Sequence, residues 1–245
     1  MAVSNQTRRT GMRSARIPLG WADDDPNFEK VIFDLSPAAL APAFGGRAPK
    51  ALTERQRGRL DSVLRATLRL ADEGGYEAVR MRDLGDTGVA LGTIYRFFGS
   101  RDFLVFYATN AWTERAAVRS LPRRSGRSFR DDCRYQFDRL MAQYEKHPRI
   151  IEAWARALTS DDPSVGDFVR IYKPEAILHG WPPMDQFDPS YALNVRAAIE
   201  QHTFGQFVRL VHGHKTLVQI REDHEHLLAL IFDPPLRATA AKDGR

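Results

Sequence analysis

Cysteine is nearly absent from this sequence: Cys133 is the single one in 245 residues, so neither an internal disulfide nor a Cys-rich metal cage can form. That gives an oxidising compartment no support, and a cytoplasmic setting is expected. Long apolar runs are missing too. The stretch from Leu227 to Phe232 is far short of the roughly 20 residues that cross a bilayer, so no membrane partner is expected. The first twenty residues hold no acid and no apolar secretory core, only Arg8, Arg9, Arg13 and Arg16 among polar and small residues. No Gly-rich phosphate loop, nucleophile elbow or HExxH pattern occurs, which leaves catalysis unsupported and predicts a protein that is not an enzyme.

The composition that remains is ordinary for a folded chain, at 43% hydrophobic and 27% charged residues. Net charge is +5, and the excess is spread along the chain, so charge permits a nucleic-acid partner without locating it. Thirty of the 36 basic residues are Arg, a bias that decides little by itself.

Residues 1–50 are rich in Pro, Gly and Ala and read as an extended or disordered arm. From Thr53 the texture turns helical: Leu60, Val63, Leu64, Leu68 and Ala71 recur at helical spacing, and Gly74-Gly75 stops the helix. A short helix follows near Met81 to Asp86, then a turn at Gly88, another short helix from about Leu91 to Phe98, and a Ser100 cap before a helix from Arg101. Residues 51–105 therefore form a compact helical unit. Beyond it, Phe129, Cys133, Phe137, Leu140, Met141 and Tyr144 make one stripe, Pro148 opens a helix carrying Ile150, Ile151, Trp154 and Leu158, and two more helices span about Pro189–His212 and Thr216–Phe232. The second unit is expected over 106–233 and a polar tail over 234–245. The helix from Pro189 carries Val195, Ile199 and His202 on one side and Phe204, Phe207, Val208 and Val211 nearly opposite; either it is wrapped within one chain or it meets a second copy.

The segment from Met81 to Arg101 has the outline of a helix-turn-helix, whose second helix enters the major groove. Gly88-Val89, Gly92-Thr93-Ile94-Tyr95-Arg96-Phe97-Phe98 and Ser100-Arg101, preceded by Gly74-Gly75-Tyr76-Glu77-Ala78, closely resemble the DNA-binding signature of the tetracycline-repressor (TetR) family. Gly75 to Val79 and Val89 to Phe98 look most like its sterol-catabolism (KstR-like) branch. The resemblance covers roughly residues 53–105. It implies an all-α fold, a helix-turn-helix domain followed by a larger effector-binding and dimerisation domain, and a homodimeric regulator of transcription, a repressor released from double-stranded DNA by a small apolar effector of lipid or acyl-CoA type, with no cofactor. Small or apolar side chains at Ala90, Leu91, Gly92 and Thr93 let the backbone approach base edges; Thr93 can bond a base or phosphate; Tyr95, Arg96 and Arg82 can reach phosphates; and Arg101 stands where the family has a phosphate-binding Lys. Arg55, Arg57 and Arg59 read equally as a solvated face or as phosphate contacts.

The sequence departs from the family pattern at one point. Gly85 and Gly88 are separated by two residues where the family has three, so the first motif helix is expected to be one residue short and to dock at a shifted angle. A second reading follows, a ligand-binding or protein-interaction module of the same fold that has lost sequence-specific DNA binding. For the effector, Trp112, Phe137, Met141, Tyr144, Trp154 and Phe204 are the pocket candidates, each of which is also an ordinary core residue. Trp181, Phe168, Tyr172 and Phe207 add aromatic surface. His224 and His226 are two apart, which on a helix sends them about 200° apart, so no metal site is expected.

Overall fold

The computed structural model describes residues 31–119 (except 32 and 48), 127–171 and 188–233. The arginines of the first twenty residues, Tyr172, Trp181 and the 234–245 tail lie outside the described residues. Among those described, all regular structure is helical: α1 (Pro37–Leu40), α2 (Glu54–Gly74), α3 (Leu91–Phe98), α4 (Arg101–Arg119), α5 (Phe129–Lys146), α6 (Pro148–Leu158), α7 (Pro163–Ile171), α8 (Pro189–Val211) and α9 (Leu217–Phe232), with 3₁₀ turns at Ala41–Phe44, Tyr76–Ala78 and Met81–Thr87. The helix starts expected from Thr53, Ser100 and Pro148 are observed. Thr53 closes a reciprocal capping box with Gln56, and the Ser100 hydroxyl accepts the Phe103 N–H at 3.0 Å.

The arm reading of residues 1–50 does not hold over 31–47. Val31, Phe33, Leu35 and Leu40 are buried in the main core. Arg65 of α2 donates to the Val31 carbonyl at 3.1 Å and lies over the Phe33 ring, while the Tyr107 hydroxyl donates to the Asp34 carbonyl. Alternating apolar residues around a Pro-rich turn bury surface without helical periodicity, so a reading tuned to helices passes over them.

One core joins α2, α4 and α6 to the helix-turn-helix, through Leu64, Leu68, Ile94, Phe98, Phe103, Leu104 and Ile150. A smaller one joins α5, α8 and α9 through Phe129, Cys133, Val195, Ile199 and Leu228. The two apolar sides of α8 are thus both used inside the chain: Val195 and Ile199 face α5 and α9, and Phe207 joins the main core. Phe204 on the second side stays 38% exposed. Also exposed on α8 and α9 are Tyr191, Leu193 (61% exposed), Val218 (59%) and Leu230 (81%).

The first motif helix differs from expectation in kind. Met81–Thr87 winds as a 3₁₀ helix instead of a short α-helix, closed by Gly88 in the left-handed region at φ 73°. With about 3.0 residues per turn and about 2.0 Å rise per residue, seven residues span about 14 Å, as far as a longer α-helix would. Three-residue turns also bring Met81 and Leu84, both buried, onto one face. Tighter winding offsets the missing residue.

Candidate nucleic-acid interface and effector cavity

α3 has two faces of opposite character. Ile94, Phe97 and Phe98 are buried, which fixes the helix against the core, while Ala90, Leu91, Gly92, Tyr95 and Arg96 are exposed and Thr93 is half-buried. Leu91 and Tyr95 are 40% and 44% exposed, large apolar surfaces that folding alone leaves uncovered. Ala90 at the N-cap has no side-chain acceptor for the first N–H groups of α3, so that end of the helix presents donors and a positive dipole outward. Arg82 is largely exposed beside this face, with Asp83 at 3.4 Å.

Arg101 is placed differently. Its guanidinium lies over the Tyr76 ring at 4.2 Å, donates to the Tyr76 carbonyl and stands 3.4 Å from Glu77. It clamps the Tyr76–Ala78 turn instead of joining the exposed face. Arg156 of α6 lies over the same ring at 5.6 Å and pairs with Glu77 at 3.1 Å. Glu152 of α6 accepts the Tyr76 N–H at 2.8 Å, and burial, with the hydrogen bond that the Tyr76 hydroxyl donates to Asp102, holds the phenol up at about 12. His147, at the α5–α6 corner, meets Asp72 of α2 at 3.0 Å and the Trp112 ring at 5.4 Å. The helix-turn-helix is therefore pinned to α6 by a set of polar contacts around one turn.

The other side of α6 faces a partly open cavity of about 480 Å³ bordered by α4 to α9, a volume suited to a drug-sized molecule. Ile151, Trp154 and Leu158 of α6 line it, facing Phe106 of α4, Phe137 of α5, Phe168 of α7, and Phe204 and Phe207 of α8. Trp154 meets both Phe204 and Phe207 edge-on at about 6 Å, and its indole N–H donates to Asn110 at 3.2 Å.

Comparison with known proteins bears on both features. The model of the bacterial regulatory proteins of the tetR family matches residues 63–108, which include α3 and the 3₁₀ helix before it. Over 150 residues the chain is 32% identical to the HTH-type transcriptional repressor KstR of Mycolicibacterium smegmatis, covering 55% of this chain and 71% of that protein. It is 34% identical to the repressor of the same name in Mycobacterium tuberculosis over 125 residues, 48% of this chain and 54% of that one. The chain belongs to the TetR family. A TetR transcriptional regulator from Rhodococcus sp. RHA1 shares the fold, with a TM-score of 0.60 at 22% identity over 74% of this chain and 100% of that one. The chain is thus an all-α TetR-family protein with KstR-like similarity, and its relatives are DNA-binding transcriptional repressors, not enzymes.

Within this TetR-family chain, the six residues expected to line a pocket divide evenly. Phe137, Trp154 and Phe204 line the cavity. Trp112, Met141 and Tyr144 do not: Met141 is fully enclosed in the main core, Tyr144 packs against it, and Trp112 sits at the His147 corner. A stripe of apolar residues signals a buried face but not which part of it borders a void. Sequence reasoning missed Phe106, Asn110, Ile151 and Glu200, and it passed over His224, which was weighed only as a metal ligand. Among the described residues, no cluster of His, Cys, Asp or Glu has the makings of a metal site, and no helix is long and apolar enough to cross a membrane. Burial pushes the Cys133 thiol up to about 12, away from the range of a reactive thiolate.

Proposed function

We propose that this chain is a cytoplasmic homodimeric repressor that holds a pseudo-palindromic operator with α3 of each subunit and leaves it when a small apolar effector of lipid type enters the cavity. The observation that carries the reading is the double role of α6. One of its faces lines the cavity with Ile151, Trp154 and Leu158, and another holds the Tyr76–Ala78 turn through Glu152 and Arg156. A ligand that moves α6 moves the turn, and with it the angle of α3. Induction is then a population shift between two geometries, and a coupling of about 1 to 3 kcal/mol changes operator affinity about 5- to 150-fold.

Residues 51–105 serve as the DNA-binding unit and 106–233 as the effector and dimerisation unit. The exposed Ala90, Leu91, Gly92, Tyr95 and Arg96, with Thr93 and Arg82, supply base and phosphate contacts; Arg101 acts by fixing the turn that orients them. Exposed Leu193, Val218 and Leu230 on α8 and α9 support pairing with a second copy, since a monomer gains nothing by leaving them in water. Selection of sites from a random duplex library by the purified protein tests the proposal. Enrichment of a palindrome with half-sites about one DNA turn apart, roughly 34 to 36 Å, is expected. A folded protein that enriches no sequence would instead favour a ligand-binding module that has lost base readout through its altered first motif helix.

A further inference from the structure

The cavity is apolar but for a few side chains, and most of those are already engaged. Thr203 donates its hydroxyl to the Ile199 carbonyl at 2.8 Å, and Asn110 accepts from Trp154 and donates to Glu114. Arg170 pairs with Asp167. His224 of α9 differs from these. Its side chain is wholly buried, it lines the cavity, and neither ring nitrogen has a hydrogen-bond partner. Its orientation is fixed, because the imidazole stacks flat on Phe137, with ring centres 3.7 Å apart and planes 5° from parallel. One edge is turned toward the Cys133 carbonyl, too loosely for a hydrogen bond.

An unpartnered polar group inside an apolar shell is costly, and such a group is what a ligand's polar end repays. A neutral imidazole carries one N–H and one lone pair. Burial, with His202 nearby, pulls the ring down to about 3, so at neutral pH it carries no charge. The tautomer with its N–H on the side of the Cys133 carbonyl leaves the other ring nitrogen as an acceptor. Glu200, also on the lining, adds a buried carboxyl oxygen without a partner. Beside the donors Gln136 and Arg170 at the lining, His224 and Glu200 thus offer buried acceptors, and a ligand hydroxyl can donate to the imidazole. A carboxylate ligand would meet Glu114 and Glu200, and an ammonium, though attracted by them, would lose its hydration in a largely apolar lining.

Resting on the effector reading of this cavity, we infer that the effector is a neutral molecule with an apolar body and a hydroxyl group, and that the hydroxyl donates to the unpartnered nitrogen of His224 while the body lies among Phe106, Trp154, Phe204 and Phe207.

Calorimetric titration of the full chain with decan-1-ol, methyl decyl ether, decanoic acid and decylamine tests the inference. The four share an apolar chain and differ at the head. The alcohol binds at least about tenfold more tightly than the ether, because the ether leaves the nitrogen unpaired. In His224→Phe, which keeps a ring against Phe137 and removes the acceptor, that advantage falls below about threefold. Nitrogen resonances of ¹⁵N-histidine-labelled wild-type protein give a readout that needs no variant: one His224 signal moves on adding the alcohol and not the ether. Equal affinities for alcohol and ether, or preference for the acid or the amine, overturn the hydroxyl assignment and leave the cavity reading in place. Binding of none of the four removes both.

Discussion

Gly75 sits where the DNA-binding unit meets α6, with φ 72° and ψ −162°, a region that only glycine occupies readily. A Cβ built there would lie 2.4 Å from Oε2 of Glu152, the carboxylate that accepts the Tyr76 N–H. Gly75→Ala therefore acts twice: it forces about 1 to 3 kcal/mol of backbone strain and displaces a charge-assisted hydrogen bond worth about 1.5 to 3 kcal/mol. Water and Arg156 accept part of what is displaced, so the expected loss is about 3 kcal/mol, or about 6 to 12 °C in Tm for a chain of this size. Glu152→Ala removes the bond but also the clash, and in that background Gly75→Ala costs the strain alone. The double variant should fall short of the summed single effects by about 1.5 kcal/mol in a urea-unfolding cycle followed by circular dichroism. Strict additivity, or a Gly75→Ala variant within about 0.5 kcal/mol of wild type, would refute the view that this turn is held by Glu152.

Other expectations follow from the same geometry. His224 has a folded pKa near 3 against about 6.5 unfolded, so its contribution is present above pH 6.5 and is lost as pH falls toward 3; stability should drop by about 2 kcal/mol between pH 6.5 and 5, with His202 adding in the same direction and Glu200 and Asp138 opposing it. His224→Phe flattens that slope, as urea midpoints across the range would read. Leu230→Asp places a charge on the exposed α9 face and should shift the protein to monomer in sedimentation velocity without loss of helicity. Arg96→Ala weakens binding to all duplexes alike and lowers the salt slope of log K by about one, measured by fluorescence anisotropy between low and physiological salt. Gly85→Ala is accommodated, since a Cβ there meets nothing within 4 Å, and should leave stability equal or raised by up to about 1 kcal/mol.

Much of the architecture was legible because it is periodic. The Leu60 to Ala71 stripe, the Ser100 cap and Pro148 each produced the element expected of them. The exposed side of α3 was legible because its inward residues, Ile94, Phe97 and Phe98, leave one face outward. Three features were not. The 31–47 segment buries an alternating pattern that helical templates ignore; the Met81–Thr87 winding depends on the tertiary need to bring Met81 and Leu84 onto one face; and the cavity is a gap that side chains from α4 to α9 border jointly, which no single helix records. His224 illustrates the last point, since its meaning comes from Phe137 on another helix and from the absence of any bond at its edge.

The most direct test of the account is the affinity of a library-selected palindrome, set against mixed-sequence duplex at the same salt, for wild type and for Thr93→Ala/Tyr95→Ala. The account predicts that wild type prefers the selected site by about 10³-fold or more, and that the paired substitution on α3 removes at least about tenfold of that preference with folding and helicity intact. A variant that keeps the full preference would show that α3 is not the element that reads DNA.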